Sequence, residues 1–131
     1  MTDLATFDEQ TVVVDFLEAQ AVLSGVSIYA GEDEPPAGYK PANGAAIVFR
    51  TRGGEDDDVR AVMTASIQCK CYGATPALAM GTAHKLHAAL VDAKSSKILA
   101  AERETMPMPL REPETDWPYA LVFYSVMVID Q

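Results

Sequence analysis

The most regular stretch of the chain runs from Val59 to Tyr72. There Val59, Ala61, Met63, Ala65, Ile67, Cys69 and Cys71 alternate with Arg60, Val62, Thr64, Ser66, Gln68, Lys70 and Tyr72. Successive side chains of an extended chain point to opposite faces, so this pattern predicts a strand with one apolar and one mostly polar face. Gly73 breaks it. Thr75 and Pro76 then supply an N-cap residue and a proline at the first helical position. Ala79, Ala83, Leu86, Leu90 and Ala93 recur at steps of three and four, an apolar stripe along a helix reaching about Ala93.

Upstream, Thr6 and Glu9 have the spacing of a capping box, and Val13, Val14, Leu17 and Ala21 follow with Phe16 and Leu23 alongside. The spacing predicts a helix from about Phe7 to Leu23, stopped by Gly25. Val26 to Ala30 reads as a short strand and Ala45 to Arg50 as another. Between them, residues 31–44 hold three prolines and three glycines among charged residues, which predicts a long loop. Residues 51–58, "TRGGEDDD", read as the connection of a hairpin. Ile98 to Met106 has a weaker extended pattern, and Pro107, Pro109 and Pro113 mark a third long loop over 105–118. The closing "PYALVFYSVMVID" is apolar at both alternating sets of positions, the pattern of a central strand covered on both sides.

Helix, strand, strand, long strand, helix, weak segment and long strand together predict an α+β domain. Its sheet is mainly antiparallel, with two helices packed on one face. A chain of 131 residues has the length of one domain, so residues 1–131 are read as a single unit.

Composition narrows the function classes. The hydrophobic fraction of 49% and charged fraction of 22% are ordinary for a globular protein. No apolar run approaches the roughly 18 residues of a membrane span, and "MTDLATFDEQ" lacks the basic and apolar regions of a signal peptide. The expectation is a soluble protein made inside the cell, with reduced thiols. A formal charge of −9, with ten scattered Lys and Arg, argues against nucleic-acid binding, which draws its affinity from neutralising phosphates. The acidic run Glu55, Asp56, Asp57 and Asp58 reads as a solvated loop, as does Glu32 to Glu34. The first run lacks the alternating oxygen ligands and distal Glu of a calcium loop.

Both cysteines and both histidines lie within one stretch: Cys69, Cys71, His84 and His87. The set resembles a compressed zinc finger, but side chains at i and i+2 of a strand start about 6.6 Å apart. Thiolates on one Zn²⁺ must come within roughly 3.8 Å of each other, so cysteines acting as small buried hydrophobes are the better reading. The P-loop, G-x-G-x-x-G, G-x-S-x-G and H-E-x-x-H signatures are absent from the sequence, so no catalytic residue, metal or cofactor is assigned. Trp117, Tyr119 and Tyr124 read as core or rim packing. Tyr39, an aromatic on a Pro/Gly loop, is the more suggestive candidate for an anchor in a protein contact.

The strand "IQCKCYG", the small-residue turn and the Ala/Leu-rich helix give Ile67, Gln68, Tyr72, Gly73, Thr75 and the stripe from Ala79 to Leu90. Together with the element order and a last strand like "PYALVFYSVMV", they resemble the tail terminator, or tail-completion, proteins of long-tailed bacteriophages. The resemblance spans nearly the whole chain. It implies a non-enzymatic virion protein that forms a ring, typically a hexamer, capping the tail tube and meeting the head. Its partners would be copies of itself, a tail tube protein and a head-tail connector protein. It would be soluble in the host cytoplasm before assembly and located at the tail and neck junction afterwards. The three long loops would then make inter-subunit and tube contacts, with Tyr39, Glu55, Asp56, Asp57, Asp58 and Trp117 as candidates. A neck or head-tail connector subunit is the neighbouring alternative, and a monomeric ligand-binding or enzymatic α+β module is the alternative from another class.

Overall fold

A computed structural model describes residues 9–31, 35–57, 62–91 and 98–129, and for residues 9, 10 and 52–57 the backbone alone. The described elements are helix α1 (Glu9–Glu18), strands β1 (Ser27–Ala30), β2 (Ala46–Asp57) and β3 (Val62–Tyr72), and helix α2 (Pro76–Leu90). Strands β4 (Ile98–Arg103), β5 (Met108–Arg111) and β6 (Pro118–Ile129) follow. They form one sheet in the order β1-β2-β3-β6-β4, with β5 also paired to β6. Every pairing is antiparallel except that of β1 with β2. Both helices pack on one face, so the α+β architecture expected from the sequence is the one observed.

The alternation in β3 decides which face that is. Ala65, Ile67, Cys69 and Cys71 are buried. They pair with Val126, Tyr124, Val122 and Ala120 of β6 on one side, and the two cysteines pair with Phe49 and Ile47 of β2 on the other. Val13 and Leu17 of α1 and Ala83, Leu86 and Leu90 of α2 close over this layer as one core. The entry to α2 follows the sequence reading, since Thr75 Oγ1 accepts from the Leu78 N–H at 3.1 Å and Pro76 opens the helix. Gly73 has no room for a side chain: a Cβ there would lie 2.4 Å from the Ala79 nitrogen. Any larger residue here would have to push the start of the helix away from β3.

Several boundaries differ from the sequence expectation. Helix α1 ends at Glu18 rather than Leu23, and Ala21–Leu23 form a separate 3₁₀ turn. Gln20 is extended and its side chain donates to the Phe16 carbonyl, which ends the helix and lets Leu23 turn inward. Glycines at 53 and 54 do not make the hairpin turn. Strand β2 continues to Asp57 through an irregularity between Thr51 and Gly54, so residues 51–57 are strand rather than loop. A bulge admits glycine as readily as a turn does. The expected loop over 105–118 contains strand β5, and β6 is central as expected but fully buried on one face only. Thr6, residues 32–34, Asp58, residues 59–61 and Ala93 lie outside the described residues.

Strands β4 and β5 share one edge of β6. Arg103 pairs with Tyr124 and Met108 with Leu121, so the two form a single interrupted edge strand. At the interruption the Phe123 N–H donates to Thr105 Oγ1 at 3.2 Å, satisfying the group that the break would orphan. No helix among the described residues is long and apolar enough to cross a membrane.

Candidate contact surface on the outer face of the sheet

The face turned away from the helices has a different composition. Here β3 presents Tyr72, Lys70, Gln68, Ser66 and Thr64, and β6 presents Tyr119, Leu121, Phe123, Ser125 and Met127 opposite them. Two segments cover one end of it. The first is the return from β1 to β2. These strands are parallel, so the chain must travel back from the end of β1 to the start of β2. The described part of this return, residues 35–45, lies over the outer face, where Tyr39 meets Tyr72 and Trp117. The Tyr39 N–H donates to the Pro36 carbonyl across a turn with Gly38 at φ 93°, where glycine is favoured. The Tyr39 hydroxyl donates to the Gly44 carbonyl at 2.7 Å.

The second segment is the β5–β6 hairpin tip. The Glu112 N–H donates to the Trp117 carbonyl and the Asp116 N–H to the Glu112 carbonyl, with Asp116 in the left-handed region at φ 60°. Arg111 Nη1 holds the Asp116 carbonyl at 2.9 Å. These bonds aim Trp117 back over the sheet.

The two segments meet at an aromatic cluster. Tyr39 and Trp117 lie edge to face, with ring centroids 5.8 Å apart and planes at 89°. Tyr39 also meets Tyr29 at 6.3 Å and Tyr72 at 6.2 Å, and Tyr72 meets Tyr119 at 5.5 Å. Contacts of this kind contribute about 0.5–1.5 kcal/mol each beyond area burial. Tyr72 is fully buried beneath the cluster, and its hydroxyl donates to Glu112 Oε1. Lys70 Nζ reaches the same oxygen at 3.3 Å and lies 5.0 Å from the Tyr119 ring centroid. Burial, then the neighbouring Tyr29, pushes the Tyr39 hydroxyl up to about 12, so it remains a donor at neutral pH.

Tyr39 and Trp117, singled out from sequence, are thus brought together. Glu55, Asp56 and Asp57 are not part of the same surface. Their backbones pair with Thr64, Met63 and Val62, whereas Ala46 pairs with Tyr72 at the aromatic end. Ten residue steps along β3 separate Val62 from Tyr72, roughly 33 Å at the rise of a strand. Sequence reasoning missed Glu112, Tyr29 and Tyr72 as members of the cluster. Tyr72 carried a signal, being a large aromatic on the otherwise polar face of β3; Glu112 carried none.

Cys69 and Cys71 are buried free thiols, with burial pushing Cys71 up to about 12 and Cys69 well above its ordinary value. His84 is exposed, and His87 Nδ1 sits 3.1 Å from the Tyr124 hydroxyl. Among the described residues no three His, Cys, Asp or Glu side chains are grouped to hold a metal.

No protein family matches the chain, and no curated protein does. Among solved structures the chain is similar to one from the virion of a native gene transfer agent (GTA) particle. The TM-score is 0.62 at 20% identity, over 92% of this chain and 93% of the other. At that identity the likeness is one of fold, extending from end to end of both chains.

Proposed function

We propose that the protein is a structural component of a virion, a tail-terminator-like subunit whose ring caps the tail tube and joins tail to head. The observation that carries this reading is the end-to-end likeness of fold to a virion chain. It agrees with the independent resemblance of the β3–α2 sequence to tail terminators. Exposed apolar side chains support it too: Met108 and Met127 on the outer face are 50% and 38% exposed, and Met106 between β4 and β5 is 70% exposed, surface suited to a neighbour. In this reading Tyr39 and Trp117 contact the tube or an adjoining subunit. The acidic run Glu55, Asp56, Asp57 and Asp58, of which the first three residues close β2, makes a second contact. The role is assembly rather than catalysis, performed in the virion. Copies of the chain, the tube protein and a head-tail connector are its partners.

The test is light scattering and negative-stain imaging of the purified protein, alone and with tail tube subunits. Rings of the width of a phage tail, bound at tube ends, are expected. A protein that stays monomeric at high concentration and ignores tubes would sink the reading in favour of a monomeric module. Rings that bind a head connector but no tube would instead select the neck-subunit reading. Point variants at Met106 and Met108 are cleaner probes of assembly than deletion of residues 31–44, because that loop supplies Tyr39 to the cover of buried Tyr72.

A further inference from the structure

Between the loop that carries Tyr39 and the hairpin tip that carries Trp117 lies a cleft of about 310 Å³. Its walls include Pro36 and Tyr39 on one side and Glu112, Pro113, Glu114 and Trp117 on the other. Three features of this lining point to one kind of occupant. Its charged groups are carboxylates, with no Lys or Arg among the described lining residues. Lys70 already balances Glu112, whereas Glu114 has no cation beside it among the described residues, so the cleft has a net demand for positive charge. The Tyr39 and Trp117 rings form an electron-rich corner of the kind that attracts guanidinium or ammonium groups. Among the described residues nothing accepts the Trp117 indole N–H, a donor suited to a main-chain carbonyl.

The walls are also built before any ligand arrives. Prolines restrict both sides, Tyr39 is tied to Gly44, and Glu112 to Trp117, so little ordering remains to be done on binding. Aromatic and proline walls of this sort suit an extended segment.

We propose that this cleft binds an extended, arginine- or lysine-bearing segment of a different protein. The cation lies against Tyr39 and Trp117 within reach of Glu114, and the indole N–H donates to a carbonyl of the segment. A second copy of this chain is the poorer occupant of this acidic cleft, because its ten Lys and Arg are scattered along the sequence. The inference goes beyond the ring reading and does not depend on it, since a single chain carries the complete cleft.

Trp117 is the only tryptophan, so its emission reports on the cleft directly. The full chain would be titrated with the capped peptide Gly-Pro-Arg-Pro-Arg-Pro-Gly and with the same peptide carrying citrulline, the neutral isostere, at both arginines. The indole N–H resonance would be followed in parallel by NMR. A saturable response to the arginine peptide is expected, at least about fivefold tighter than to the citrulline peptide and weakening with salt. Glu114→Gln should weaken the arginine peptide by about two- to fivefold while leaving the circular dichroism unchanged. Equal affinity for both peptides, no response in either signal, or undiminished binding by Glu114→Gln would overturn the proposal. Emission that shifts with protein concentration alone would also overturn it, by showing the cleft filled by a second copy, and would leave the ring reading standing.

Discussion

The two faces of the sheet share the same strands and differ in what closes them. On the helix face Phe49, Ile67, Cys69, Val122 and Val126 are at most 1% exposed beneath α1 and α2. On the outer face the described aromatic end is sealed, where Tyr72 lies under Tyr39 and Trp117 and Val48, between Tyr29 and Lys70 in the sheet, is also buried. Further along, Leu121 and Phe123 are half-buried and Met127 is exposed. Alternation within a strand therefore separates two faces but does not say how completely each is covered. An apolar stripe on a helix covers along its whole length, whereas a loop covers only where its few large side chains reach.

This contrast can be broken most directly by truncating one side chain on each face. Leu86→Ala, at a fully buried position of α2, should cost about 3 kcal/mol in urea unfolding. Leu121→Ala on the outer face should cost less than about 1 kcal/mol, as expected where no sealed core is opened. Equal losses would mean that the outer face is closed in solution, by association or otherwise. The next effect concerns how α2 reaches its face. Gly73→Ala should cost about 2 kcal/mol, because the added methyl meets the α2 backbone at Ala79 rather than a movable side chain. An unchanged melting temperature would show that the helix can shift at no cost.

The smallest effect separates the faces by pH. Burial, with Arg103 and His84 nearby, lowers His87 from its ordinary value of 6.5. The folded chain then binds fewer protons at this residue than the unfolded chain does. Its contribution is present above about pH 6.5 and lost as pH falls through the lower folded value. The urea midpoint should fall between pH 7.5 and 5.5, and fall less in His87→Asn. An equal fall in the variant would remove His87 from the account. Burial also raises the Tyr124 hydroxyl, which shares a hydrogen bond with His87 Nδ1 at 3.1 Å.

The legible parts of the fold were those where one local rule acted alone. In β3 the period of two marked Ala65, Ile67, Cys69 and Cys71 for the core, and at the start of α2 Thr75 and Pro76 marked the cap. Where one residue type serves two structures, the reading failed. The glycines at 53 and 54 allow a turn or a bulge, and pairing with β3 selected the bulge. Pro109 argues against a strand, yet β5 sits at the sheet edge, where a missing N–H need leave no partner unpaired. Of the candidate contact residues, Tyr39 and Trp117 were legible as large aromatics in proline-rich segments. Their meeting was not legible, because 78 positions separate them in the sequence, as their numbers show.

By itself the sequence determined which residues of β3 and α2 are apolar and therefore which faces must be buried, since those choices follow from periods of 2 and about 3.6 residues. It also determined that the chain carries surplus negative charge and a glycine at the β3–α2 junction. Only the tertiary structure decided that β1 and β2 run parallel, that the described part of their connection, residues 35–45, lies over the outer face, and that Tyr39 is thereby set against Trp117. Strand order and direction are properties of non-local pairing. No short window of residues contains the partner strand that decides them.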